Sequence, residues 1–116
     1  MSNLNMHNVD SFDSASQFLG RQSSRTLCFA TTLDRETVAG EHGVMAIAVR
    51  HHGSPIIRYF SDGCIEIRNA GWMSRTTTNR LHSMTPFDVR VSGAKGGSVT
   101  SPLYTGAQPH DFTRVV

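Results

Sequence analysis

Residues 53–82 read GSPIIRYFSDGCIEIRNAGWMSRTTTNRLH, and their pattern decides the fold. Two alternating apolar runs, 56–60 and 64–68, flank Ser61-Asp62-Gly63, a loop of the kind that closes a β-hairpin with a glycine in the left-handed region. A loop of that length sets the register: Phe60 faces Cys64, Tyr59 faces Ile65, Arg58 faces Glu66 and Ile57 faces Ile67. Side chains alternate sides along a strand, so Ile57, Tyr59, Ile65 and Ile67 share one apolar face. Arg58 and Glu66 fall on the other face, where a cross-strand ion pair contributes about 0.2–1 kcal/mol. Asn69-Ala70-Gly71 ends the second strand and Trp72 supplies a large apolar anchor. Ser74 is placed to cap a helix running to about Met84, where Thr85-Pro86 stops it. Asp62, Gly63, Gly71, Trp72 and Ser74 are therefore read as structural residues.

Working outward toward the N-terminus, Val44 to Arg50 reads as a strand with Met45, Ile47 and Val49 on one face and small Ala46 and Ala48 on the other, a face suited to lying under something close. His51 to Pro55 turns the chain. RTLCFATTL, from Arg25 to Leu33, alternates as one further strand, and the following DRETVAGEHG reads as a charged loop. Phe12, Ala15, Phe18 and Leu19 recur at helical spacing, with Asp10 or Ser11 as the N-cap and Gly20 as the stop. Residues 1–9 read as a flexible tail. Beyond Pro86, FDVRVSG gives a strand, AKGG a turn, SVTSPLY a short strand and DFTRVV a last one. The expected fold is α+β: one domain, residues 10–116, with an antiparallel sheet of about four to six strands and two short helices.

Composition bounds the function. With 116 residues the chain has room for one domain, which buries about two-thirds of its unfolded surface. No apolar run approaches the ~20 residues of a membrane-spanning helix, and the N-terminal MSNLNMHNVDSFDS lacks the basic and apolar regions of a secretion signal, so a cytoplasmic location is expected. The two cysteines, Cys28 and Cys64, have no CxxC partner and read as free thiols, able to bridge only if their strands are neighbours. Ten of the eleven basic residues are arginine. The net charge of +2 is uneven: residues 1–42 carry three basic against five acidic groups, and residues 43–95 seven against three.

Catalytic patterns are missing from the chain. The six histidines show no HExxH or other ligand spacing, so no metal is expected. No GxSxG elbow is present, and both cysteines fall within strands rather than at a helix N-terminus where a thiol would be activated. NAGWMSRTTT has one glycine, no GK[ST], and a bulky Trp72 where a phosphate would need room. The chain is read as non-enzymatic and without a cofactor. What remains is a group of charged residues on and after the hairpin: Arg58, Glu66, Arg68, Arg75 and Arg80 are the candidate binding residues. Ser74 to Arg80 also opens the expected helix with hydroxyls beside arginines, a setting in which free amides accept an anion. The modest positive charge supports weak attraction to nucleic acid without specificity.

The stretch from Gly53 to Arg80 resembles a pattern found in small proteins of bacteriophages and prophages, a run like HGT-x-I-V-x-Y, then x-DG-x-I-x-L, then GW-x-T-x-TT-x-x-R. Gly53, Ile57, Tyr59, Asp62, Gly63, Ile65, Ile67, Gly71, Trp72, Thr76, Thr77 and Arg80 match it. The chain departs at Ser74, where threonine is usual, and at Ser54-Pro55, where a threonine would lead the strand. The resemblance implies a phage origin and supplies no catalytic residues. The expectation that follows is a small phage protein that binds a macromolecular target and inhibits a host defence system in the manner of an anti-CRISPR, its partner a host protein such as a CRISPR–Cas component. A nucleic-acid-binding accessory protein using the central arginines is the alternative. Homodimerisation through an edge strand is compatible with either.

Overall fold

Apolar side chains at every second position make strands that bury one face, and among the described residues strand is the commonest element. The computed structural model describes residues 9–28, 30–37, 45–68, 81, 83–85, 90–92, 98–101, 103–107 and 112–116. Helix α1 (Phe12–Leu19) is followed by β1 (Ser24–Cys28), β2 (Thr31–Thr37), β3 (Met45–His51), β4 (Ser54–Phe60) and β5 (Ile65–Ile67). Then come β6 (Arg90–Ser92), β7 (Ser98–Thr100), β8 (Thr105–Ala107) and β9 (Thr113–Arg114). The main sheet is antiparallel and six-stranded, in the order β1-β2-β3-β4-β5-β9, and β6-β7-β8 form a second sheet. The described strands thus number nine in two sheets, where one sheet of about four to six was expected.

The β4–β5 hairpin has the register read from its loop, with Ile57 opposite Ile67, Arg58 opposite Glu66 and Tyr59 opposite Ile65. Gly63 sits at φ 98°, the Phe60 amide donates to the Cys64 carbonyl at 2.9 Å, and the Asp62 carboxylate accepts from the Cys64 amide at 3.0 Å. The β3–β4 hairpin turns on His52 and Gly53, both at positive φ (53° and 83°), the pairing of signs that matches strand twist in a two-residue loop. Pro55 lies opposite Arg50 where the β3–β4 register shifts, an irregularity that accommodates a residue with no amide proton.

Two expectations change in the N-terminal half. Arg25 to Leu33 is not one strand: the chain reverses between Cys28 and Thr31 to give β1 and β2. Ala30 at φ 54° makes that turn with neither glycine nor proline to mark it, and its carbonyl accepts from the His52 amide at 2.8 Å. The charged segment after Leu33 is strand through Thr37, because Asp34 and Glu36 occupy alternate positions and share the polar face. SVTSPLY likewise ends as a strand at Thr100; the Ser101 hydroxyl accepts from the Leu103 and Tyr104 amides at 3.2 and 3.0 Å, turning the chain into β8.

Helix α1 starts and stops where its signals lie. Ser11 is the N-cap, its hydroxyl accepting from the Ser14 amide at 3.2 Å, while the Ser14 hydroxyl accepts from the Ser11 amide at 3.1 Å. Gly20 ends it at φ 59°. The last turn contains no basic residue, and the sheet supplies the cations: Arg35 donates to the carbonyls of Gly20 (2.8 Å) and Gln22 (3.2 Å), and Arg25 to that of Phe18 (2.7 Å) while stacking on the Phe18 ring. Positive charge there complements the negative end of the helix dipole. The second expected helix falls mostly outside the described residues; Leu81 and Ser83 have helical backbone and the Thr85 hydroxyl donates to the Leu81 carbonyl at 2.7 Å.

Ala15 and Leu19 of α1 pack on Leu33, Ile47, Val49, Ile57, Ile65 and Ile67 of the sheet, with Leu81, Met84, Val99 and Val115 closing the cluster. Each fully buried aliphatic side chain contributes about 1.5–3 kcal/mol. Val9, at the end of the expected tail, is 1% exposed and belongs to this core. Tyr59 is the polar member: its buried O–H donates to the carbonyls of Val9 (3.4 Å) and Met84, tying two distant segments to β4. Cys28 lies on β1 and Cys64 beside β5, with β2, β3 and β4 between their strands, which are therefore not neighbours.

Burial, reinforced by the Asp10 carboxylate, raises the Tyr59 phenol well above its ordinary range. An acid with a raised folded-state pKa keeps its full stabilising contribution below the unfolded pKa, about 10, and loses it as pH climbs toward the folded value. Tyr59→Phe is expected to lower stability at neutral pH by about 1–3 kcal/mol, from the unsatisfied carbonyls it leaves. Its stability should also fall less steeply above pH ~10 than that of the parent chain, as measured by urea unfolding across the alkaline range. Gly63→Ala forces an alanine into a glycine conformation and is expected to cost about 1–2 kcal/mol in the same assay.

Candidate binding face

The sheet face opposite the core carries charged residues from five strands. Reading across it, β2 presents Asp34 and Glu36, β3 presents Ala46, Ala48 and Arg50, β4 presents Arg58, and β5 presents Glu66. Beyond them β9 presents Arg114 opposite Glu66. Arg50 holds both acids of β2: its Nε donates to Asp34 Oδ2 at 2.8 Å and an η nitrogen to Glu36 Oε2 at 3.0 Å. The other η nitrogen donates to the Gly53 carbonyl at 3.1 Å.

Glu36 also accepts from Arg58 Nε at 2.9 Å, although β3 lies between their strands. Side chains two strands apart start ~10 Å from one another. They meet because the intervening positions are alanine: Ala46 lies opposite Glu36, Ala48 lies opposite both Asp34 and Arg58, and each is at most 1% exposed. The small face of β3 is thus roofed by long charged side chains. The expected partner of Arg58 was Glu66; the register does set those two opposite, and the guanidinium bonds to Glu36.

Phe112, just before β9, organises the other side of the face. The Arg58 guanidinium carbon lies 4.2 Å from its ring centroid and that of Arg68 lies 4.6 Å away. Arg68 is fixed by its Nε, which donates to the Pro55 carbonyl at 2.7 Å. A cation on an aromatic face gains about 0.5–2 kcal/mol, the upper end where water is excluded. Cys64 stands at the rim, a free thiol raised above its ordinary range by burial and by its hydrogen bond to Asp62.

Of the candidate binding residues, Arg58, Glu66 and Arg68 share this face, while Arg75 and Arg80 lie outside the described residues. Asp62 and Gly63 form the hairpin tip; Gly71, Trp72 and Ser74 lie outside the described residues. Sequence reading missed Asp34, Glu36, Arg50, Phe112 and Arg114. Alternation in β2 and β3 could have placed the first three on the polar face; the approach of β9 to β5 has no local signal. Among the described residues no group of histidine, cysteine, aspartate or glutamate is arranged to hold a metal ion. No described helix is long and apolar enough to cross a membrane.

The family model described as Kyanoviridae Gp96 protein matches residues 16–96, a range that takes in Asp34, Glu36, Arg50, Arg58 and Arg68 of the face. Neither the curated proteins nor the solved structures contain a significant match.

Ala48→Leu is expected to prise Glu36 and Arg58 apart and to cost about 1–3 kcal/mol through overpacking. In a double-mutant cycle, the Glu36–Arg58 coupling should be about 0.5–1 kcal/mol in the parent chain, should shrink in high salt, and should vanish in the Ala48→Leu background.

Proposed function

The chain belongs to the Kyanoviridae Gp96 protein family, and on that footing we propose that this phage protein acts by binding a macromolecular target through the polar face of its six-stranded sheet. The observation that carries the reading is the stacking of Arg58 and Arg68 on Phe112, at 4.2 and 4.6 Å, within a face otherwise cross-linked by ion pairs. Arginine and aromatic residues dominate the energetics of protein interfaces, and guanidiniums already immobilised lose little entropy when a partner docks. The concrete form of the proposal is stoichiometric inhibition of a host defence component, such as a CRISPR effector. Its support is the phage family together with a small domain that offers one broad, ordered polar face. A nucleic-acid partner is less favoured, because Asp34, Glu36 and Glu66 punctuate the arginines on the same face and would repel a continuous phosphate backbone.

The test is affinity capture from host lysate beside an Arg58→Gln/Arg68→Gln double variant, with phage plating on a defended host expressing each protein. The parent chain is expected to retain a partner at near-equal stoichiometry and to raise plating, and the double variant to lose at least about tenfold of both. Undiminished capture by the double variant rules out this face. Capture of nothing, with no protection, ends the binding proposal, and a retardation of nucleic acid that weakens steeply with salt would replace it.

A further inference from the structure

Three guanidiniums on the β4–β5–β9 side of the face share one arrangement. Each is held through Nε: Arg58 to Glu36 at 2.9 Å, Arg68 to the Pro55 carbonyl at 2.7 Å, and Arg114 to a main-chain oxygen of Val116 at 3.3 Å. Among the described residues, none of their terminal η nitrogens makes a hydrogen bond. Arg50 is the contrast, with Nε and both η nitrogens engaged by Asp34, Glu36 and Gly53. The β2 side of the face is therefore internally satisfied, and the β5–β9 side is left with surplus donors.

An arginine fixed by Nε presents its two η nitrogens as a fork, a geometry matched to the two oxygens of a carboxylate. Phe112 further limits the planes in which two of these forks lie. Building on the proposed binding role of this face, we infer that Arg58, Arg68 and Arg114 receive carboxylates, from a protein segment rich in aspartate and glutamate. Discrete carboxylates can be set at the forks while avoiding Glu66, which lies opposite both Arg58 and Arg114. A phosphate backbone has no such freedom. The ring of Phe112 is already stacked by two cations, which removes the platform on which single-stranded bases would pack.

The experiment measures fluorescence anisotropy of two labelled probes, a glutamate-rich peptide and an oligothymidylate of equal charge, titrated at low salt with the full chain. The peptide is expected to bind more tightly than the oligonucleotide. Arg68→Gln and Arg114→Gln should each weaken it about tenfold, the size of one charge-assisted pair. Arg68→Lys should fail to restore it, since lysine keeps the charge and lacks the fork. Circular dichroism on each variant confirms the fold, and Arg114, exposed on a two-residue edge strand, is the substitution least able to disturb it. Tighter or equal binding of the oligonucleotide, unchanged affinity in the variants, or no binding of the peptide each overturns the inference. If the peptide fails while lysate capture still depends on Arg58 and Arg68, the carboxylate assignment falls and the binding role of the face stands.

Discussion

The register of the β3–β4–β5 meander is the constraint on which the other features rest. A strand has a side-chain period of two, so a slip of one residue would exchange its faces. Ile57, Tyr59, Ile65 and Ile67 would then leave the core, and Arg58 and Glu66 would enter it without water or partners. Two tight turns hold the register, one at His52-Gly53 and one at Ser61-Asp62-Gly63, each using positive φ where the turn demands it. On the core side, Tyr59 converts that register into long-range order by bonding to the carbonyls of Val9 and Met84.

The same parity creates the polar face. Once Ile47 and Val49 point inward, Ala46, Ala48 and Arg50 must point outward, and the alanines open a shallow channel across β3. Through it Glu36 reaches Arg58, and one carboxylate serves two arginines. These groups are partly exposed, so the pairs contribute modestly to stability. Their larger effect is geometric: they hold guanidinium groups in fixed orientations on a broad surface. A second use of arginine appears on the other face, where Arg25 and Arg35 satisfy carbonyls at the end of α1 and join helix to sheet.

Much of this was legible in the order of residues. The β4–β5 hairpin could be read pair by pair, because Asp62 and Gly63 specify a loop of known length and Ile57, Tyr59, Ile65 and Ile67 alternate with Arg58 and Glu66. Helix α1 was equally plain, from Ser11 at its start to Gly20 at its end. The β1–β2 turn was hidden, since Ala30 adopts a left-handed conformation that its residue type does not advertise. β2 was hidden for a different reason: Asp34, Arg35 and Glu36 look like a solvated loop until it is seen that the acids share one face and Arg35 caps a helix from the other.

Sequence by itself determined which residues turn, which alternate and which cap, because those properties are set by interactions among residues a few positions apart. That was enough for a small domain built on antiparallel sheet, and for placing Arg58 and Glu66 opposite one another on its polar side. Tertiary structure alone decided that Arg58 bonds to Glu36 across an alanine strand, that Arg68 and Arg58 stack on Phe112, and that Arg114 stands beside them. Those contacts join residues 22 to 54 positions apart, brought together by strand order and by the return of β9 to β5. No local preference encodes that return; it follows from the whole chain burying Val115 and its apolar partners in one core.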